Sequence, residues 1–194
     1  MTQTKNKQDR YIELVSEPIE DTAEKELYEQ RVIVFNDDVD EFSIGALMKK
    51  LMLLDYHNNK QITIFFNTDG GCMYESFQLY DFIRSLRSKV NIHVGGRAFS
   101  SGVFIVACCA TGKRTCAEHT SFMYHPGWSE MEGSTNNIVS NAMEQKRIEE
   151  LMNSILEKHT KIKEATKKFT HDIWFDAKQA KKWGIIDKIE RNIK

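Results

Sequence analysis

The sequence predicts an α/β fold, because three short runs rich in β-branched and aromatic residues each precede a segment with helical hydrophobic spacing. The runs are RVIVFN, QITIFFN and VNIHVGG, and the glycines of TDGG and VGG fall where the second and third end. In such folds ligands gather beyond the carboxyl ends of the strands, so those ends are where chemistry is sought.

The elements follow in order. The first 25 or so residues are charged and aperiodic, with one apolar cluster at Tyr11, Ile12, Leu14 and Val15 before Pro18, and residues 1–26 read as an arm. RVIVFN then reads as a buried strand closed by the Asn36, Asp37 and Asp38 turn cluster. Ser43 can cap the next helix, whose Ile44, Leu47, Met48, Leu51 and Leu54 recur at helical spacing up to HNNK. QITIFFN predicts a second strand, TDGG a tight loop, and about Met73 to Leu86 a helix with a stripe of Leu79, Phe82, Ile83 and Leu86. A third strand at VNIHVGG, a helix across Ser101 to Cys109, and short strands around Lys113–Cys116 and Ser121–Tyr124 come next.

About residues 136–159 the spacing of Ile148, Leu151, Met152, Ile155 and Leu156 predicts one long amphipathic helix, about 35 Å at 1.5 Å per residue, able to project and pair with a partner. The tail from Asp172 adds a helix, AKQAKKW, with Gly184 as C-cap, and a last strand, IIDKIE. One domain over residues 27–194 suits the 194-residue length.

Composition narrows the function classes. With 41% hydrophobic and 28% charged residues the chain is expected to fold, and a net charge of -1 offers no basic footprint for nucleic acid. The polar start MTQTKNKQDR lacks a signal peptide's apolar run, and no stretch of about 18 apolar residues suggests a membrane span. A cytoplasmic protein is expected. Cys72, Cys108, Cys109 and Cys116 form no CxxC pair and have no histidine at ligand spacing, so reduced thiols and no metal or cofactor are expected.

Three segments can carry chemistry. In VGGRAFSSGVF a strand ends in glycines, reaches a serine and passes into a small-residue helix, the geometry of a nucleophile elbow. The serine two before Gly102 is Ser100, and Ser101 would supply a backbone N–H to an oxyanion. A plain Ser-Ser-Gly helix start fits these residues equally well. In FMYHPGW, His125 leaves a strand for a loop, where an imidazole can take a serine's proton. His57, His159 and His171 stand at helix ends or in loops, His119 in a charged turn, and His93 within a strand, so His125 is the best candidate base. The paired glycines of TDGG let backbone approach a ligand, so the N–H of Gly71 or Cys72 could complete an oxyanion hole; a simple tight turn is the other reading.

Taken together, the segments resemble the ClpP family, the proteolytic subunits of ATP-dependent Clp proteases. That family carries a glycine loop of the SPGG kind, a GxAxSxGxF serine motif and a histidine motif 25 residues beyond the serine; NTDGG, GRAFSSGVF and FMYHP stand in those places here. ATGKRTCAEHTSFMYH and IVSNAMEQKRIEELMNSILEKHT resemble the segment between serine and histidine and the long handle helix that joins two rings. The resemblance runs from about Leu27 to Ile189. It implies a ClpP/crotonase-like fold of repeated β-β-α units with a projecting handle helix, and a serine endopeptidase acting on unfolded polypeptides. Ser100 would be nucleophile, His125 general base and Asp172 of DIWFDA the third catalytic residue, with Gly71 and Ser101 forming the oxyanion hole. Asp176 is the alternative to Asp172. Two stacked seven-membered rings, a homo-oligomeric tetradecamer fed by a Clp ATPase, are also implied.

This sequence departs from the family pattern at several places. Asp69 replaces the loop proline, Pro126 directly follows His125, PGWSEMEGS replaces a glycine-rich continuation, and His171 stands where an arginine usually helps lock the rings. The arm before Leu27 lacks the basic, glycine-containing pore segment that bears on ATPase docking. Low proline with abundant Lys and Asn would suit a divergent, phage-borne paralogue. A non-catalytic ring subunit that assembles with an active paralogue is therefore the principal alternative, with a crotonase-like acyl-CoA enzyme and a phage capsid-maturation or signal-peptide-type protease behind it.

Overall fold

In the computed structural model, residues 22–190 are described. The arm before residue 22, including the Tyr11 to Val15 cluster and the segment that bears on ATPase docking, lies outside them. The described chain starts with helix α1 (Thr22–Glu29), which the sequence did not signal. It is anchored by Tyr28, whose hydroxyl donates to the Lys50 carbonyl, and by a Glu24–Lys50 ion pair. The helix thus continues across the expected boundary between arm and domain.

Strands β1 (Val32–Asn36), β2 (Ile62–Thr68) and β3 (Val90–Phe99) pair in parallel, and the helices between them, α2 (Glu41–His57) and α3 (Met73–Ser85), serve as crossovers. The first face of β2 alternates cleanly, with Ile62, Ile64, Phe66 and Thr68 buried, as period-2 side chains require. Ile44, Leu47, Leu51 and Leu54 bury the matching stripe of α2. The cap of α2 is Asp40 rather than Ser43. Asp40 accepts the N–H groups of Phe42 and Ser43, while Ser43, at the third helical position, accepts the Asp40 N–H and completes a capping box.

Strand β3 is the hinge of the architecture. Its first half pairs with β4 (Arg114–Cys116) and its second half with β5 (Ser121–Tyr124), both in parallel. Between the halves, Phe66 pairs with Val94 but Thr68 with Ala98, so β3 carries two extra residues that bend it away from β2. Beyond β3 the chain enters a fully buried helix, α4 (Ser101–Phe104), that widens into a π-helical turn over Ile105–Cys109. Small side chains there let α3 and the long helix α5 (Thr135–His159) pack over it. Only the second half of α5 is embedded, through Ile148, Met152, Asn153, Ile155 and Leu156; Leu151, expected in the stripe, is 40% exposed. Ile138, Val139 and Met143 on the first half face outward.

After a short α6 (Ala165–Lys168), β6 (Ile173–Asp176) pairs antiparallel with β5. Helix α7 (Ala177–Trp183), C-capped by Gly184, leads to a two-residue β7 (Lys188–Ile189) beside β4. No helix among the described residues is long and apolar enough to cross a membrane.

Candidate active site

Ser100 sits at the junction of β3 and α4 with φ 53° and ψ −123°, a backbone state that costs a non-glycine residue on the order of 1–3 kcal/mol. Such strain persists because the surroundings fix it. The Ser100 N–H donates to the Met123 carbonyl at 2.7 Å, which ties the turn to β5, and Gly70 presses against it from the other side. A Cβ on Gly70 would lie 2.7 Å from the Ser100 Cβ and 2.6 Å from the Phe99 carbonyl oxygen, so only glycine allows this approach.

His125 follows β5 directly, and its Nε2 lies 2.7 Å from the Ser100 Oγ. The pairing of β5 with β6 sets Tyr124 opposite Ile173, and one step further along the same register stand His125 and Asp172. The His125 Nδ1 is 3.8 Å from the Asp172 Oδ1, close enough for an ion pair but longer than a hydrogen bond. Asp172 is 63% exposed. Asp176, the alternative, accepts the Gln179 N–H at 2.8 Å as N-cap of α7 and is committed there.

Two backbone donors face the same cleft. Gly71, at φ 145°, has a Cβ direction blocked by the Val39 carbonyl oxygen at 2.3 Å. The neighbouring Cys72 N–H donates to that Val39 oxygen at 2.7 Å, which removes Cys72 as an oxyanion donor. No acceptor among the described residues takes the N–H of Gly71 or of Ser101. The Ser101 hydroxyl is buried without a partner and has no base in reach, so this residue offers only its backbone to the cleft.

Two other histidines, His93 and His159, are engaged elsewhere. His93 is buried, with Nδ1 on the Thr115 hydroxyl, and burial holds its imidazole below the ordinary value. His159 contacts Tyr80 and Arg84. Burial likewise keeps three cysteines protonated, pushing Cys108 up to about 12, Cys116 up to about 11 and Cys109 well above its ordinary value.

Asp69 does not present a free charge to the cleft. Arg97, from the bulged part of β3, grips it with Nε and Nη2 at 2.5 and 2.8 Å, and this fork holds the Asp69 carboxyl below its usual range. The Pro126 to Ser134 segment runs without regular structure, and Trp128 on it is 75% exposed.

Of the residues expected from the sequence, Ser100, His125, Gly71 and Ser101 line one cleft, while Asp172 stands outside its lining, 3.8 Å from His125. Sequence reasoning missed the cleft's other wall. A cavity of about 360 Å³ opens beside Ser100 and runs between the start of α3 and the middle of α5, where Gln145, Glu149, Met152 and Asn153 line it. Those four share one face of α5 at helical spacing, and of them only Met152 belongs to the apolar stripe read from the sequence.

Comparison with known proteins adds to this geometry. A family model described as Clp protease matches residues 16–192. The ATP-dependent Clp protease proteolytic subunit of Carsonella ruddii (strain PV) is 29% identical over 185 residues, which cover 94% of this chain and 91% of that relative.

Proposed function

The chain belongs to the Clp protease family, and on that premise we propose that it is a serine endopeptidase subunit working through an acyl-enzyme. The observation that carries this reading is the 2.7 Å contact between His125 Nε2 and the hydroxyl of a strained Ser100 at a helix start.

With the Nδ1 proton of His125 turned toward Asp172, Nε2 is left to accept the Ser100 proton. Oγ then attacks the peptide carbonyl, and the developing oxyanion is met by the N–H groups of Gly71 and Ser101, the latter at the positive end of a buried helix. The imidazolium returns its proton to the leaving amine, which departs and leaves an ester on Ser100. Water, deprotonated by the same nitrogen, hydrolyses the ester and regenerates the serine. Asp172 orients and stabilises the protonated His125; its 3.8 Å separation and exposure indicate a looser hold than a buried hydrogen-bonded carboxylate would give.

Residues 27–194 act as one peptidase domain in this reading. The exposed Ile138, Val139 and Met143 on the first half of α5 suit burial against another subunit, as expected of a handle helix in a double ring. Unfolded polypeptide is the substrate and a Clp ATPase or an active paralogue a candidate partner. Degradation of an unfolded protein such as casein by the purified assembly, and its loss in Ser100→Ala, tests the proposal. An intact ring-sized particle without proteolysis would favour the non-catalytic ring subunit, for which the loose Asp172 contact is the structural argument.

A further inference from the structure

The cleft beside Ser100 has apolar walls but an unpaired carboxylate. Met73, Met152, Phe169 and Tyr124 are among its apolar and aromatic lining residues. Asn153 is buried, but its polar atoms are occupied: Oδ1 accepts the Tyr124 hydroxyl at 3.3 Å and Nδ2 reaches the Thr166 hydroxyl at 3.5 Å. The outward-facing acidic residues of α5 have cationic partners on their own helix, Glu144 with Arg147 and Glu150 with Lys146. Glu149 differs. It lines the cavity, is partly buried, and has neither an ion pair nor a hydrogen bond among the described residues. Tyr124 lines the same cavity as Glu149, and its phenol is held above its ordinary value by burial and, after it, by the neighbouring Cys108 and Glu149. One helical turn earlier, Gln145 lines the same cleft.

We propose that Glu149, assisted by Gln145, is a specificity-determining residue that selects a basic side chain, lysine or arginine, immediately before the cleaved bond. A long side chain with a hydrocarbon stem and a cationic tip fits a largely apolar cleft that carries one unpaired carboxylate in its lining, since stem and tip are each matched. An acidic side chain in the cleft would meet Glu149 with like charge. A short aliphatic one would leave the carboxylate half-desolvated with no partner, which is unfavourable. Glu149 binds the substrate side chain and takes no part in bond making.

The inference rests on the serine-peptidase reading, so its test carries two independent readouts. Wild type and Glu149→Gln are compared on fluorogenic peptides that differ only in the residue before the cleaved bond: lysine, leucine or glutamate. Fluorophosphonate labelling of Ser100, which needs no side-chain recognition, is followed in parallel. In Ser100→Ala, binding of the uncleaved peptides is measured by titration, so that selectivity is scored even if hydrolysis fails. The wild type is expected to favour lysine over leucine, and Glu149→Gln to lower the lysine-to-leucine ratio of kcat/KM by about five- to tenfold. Labelling is expected in both proteins. A leucine preference in the wild type, or a ratio unmoved by Glu149→Gln with labelling intact, overturns the specificity assignment alone. Absent labelling overturns the serine-peptidase reading, and the titration then decides whether the cleft still selects lysine.

Discussion

His125 and Asp172 face each other one step beyond the last cross-strand pair of β5 and β6, with Nδ1 and Oδ1 3.8 Å apart. Backbone register, rather than a tight side-chain bond, brings the two together. Asp172→Asn should therefore lower kcat for peptide hydrolysis by about 10–100-fold, less than the roughly 10⁴-fold loss where such an aspartate is buried and hydrogen-bonded. Asp176→Ala should instead reduce stability by about 1 kcal/mol, read from urea unfolding, because it removes the oxygen that caps α7.

Gly71→Ala should damage catalysis more than folding. The added methyl meets the Val39 carbonyl oxygen at 2.3 Å, so the loop must shift and carry its N–H off line. Losing one oxyanion donor costs about 10²–10³-fold in kcat. The check is hydrolysis of a short peptide, alongside circular dichroism that stays close to wild type.

The Asp69–Arg97 fork predicts that Asp69 has little influence on charged substrates while Arg97 is present. Asp69→Asn should change the relative KM of acidic and neutral peptides by less than about twofold, since the exposed carboxylate is already paired. Arg97→Ala should raise KM for acidic peptides several-fold by uncovering Asp69.

Mild acid should weaken the fold through its buried histidines. Burial, opposed by the charge of Glu190, holds His93 below its ordinary value, and burial together with Arg84, Arg114 and Lys158 does the same for His159. As pH falls through about 6.5 the unfolded chain takes up protons that these histidines refuse, so the unfolded state binds more protons and stability declines. The decline stops once pH passes below the lowered folded values. Urea midpoints measured between about pH 7.5 and 5 should show it, and His93→Gln should flatten the slope.

Much of the architecture was legible because periodicity separates strands from helices. Val32–Asn36, Ile62–Thr68 and Met73–Ser85 stand within a residue or two of the expected spans. The α/β class with its parallel sheet follows from that alternation. Three elements were not legible: β6, α1 and the one-turn α6. Strand β6 is four residues whose only reason to be extended is pairing with β5, about fifty positions earlier. Helix α1 is short and highly charged, and it is held by Tyr28 and Glu24 against Lys50 of α2, a contact 22 or more positions away that the local sequence of α1 does not reveal. Capping was misjudged because Asp40 and Ser43 both favour helix starts, and only the folded backbone distinguishes the cap from the third helical position. At the site, motif spacing pointed to Ser100 and His125, but nothing local indicated that Gln145 and Glu149 would meet them across the cleft.

The central claim is that Ser100 is a nucleophile activated by His125, and fluorophosphonate labelling of the purified protein tests it most directly. Labelling should occur in the wild type and in Ser101→Ala, vanish in Ser100→Ala, and fall at least about 100-fold in His125→Ala. Labelling that survives Ser100→Ala, or a folded wild type that never labels, would contradict the account.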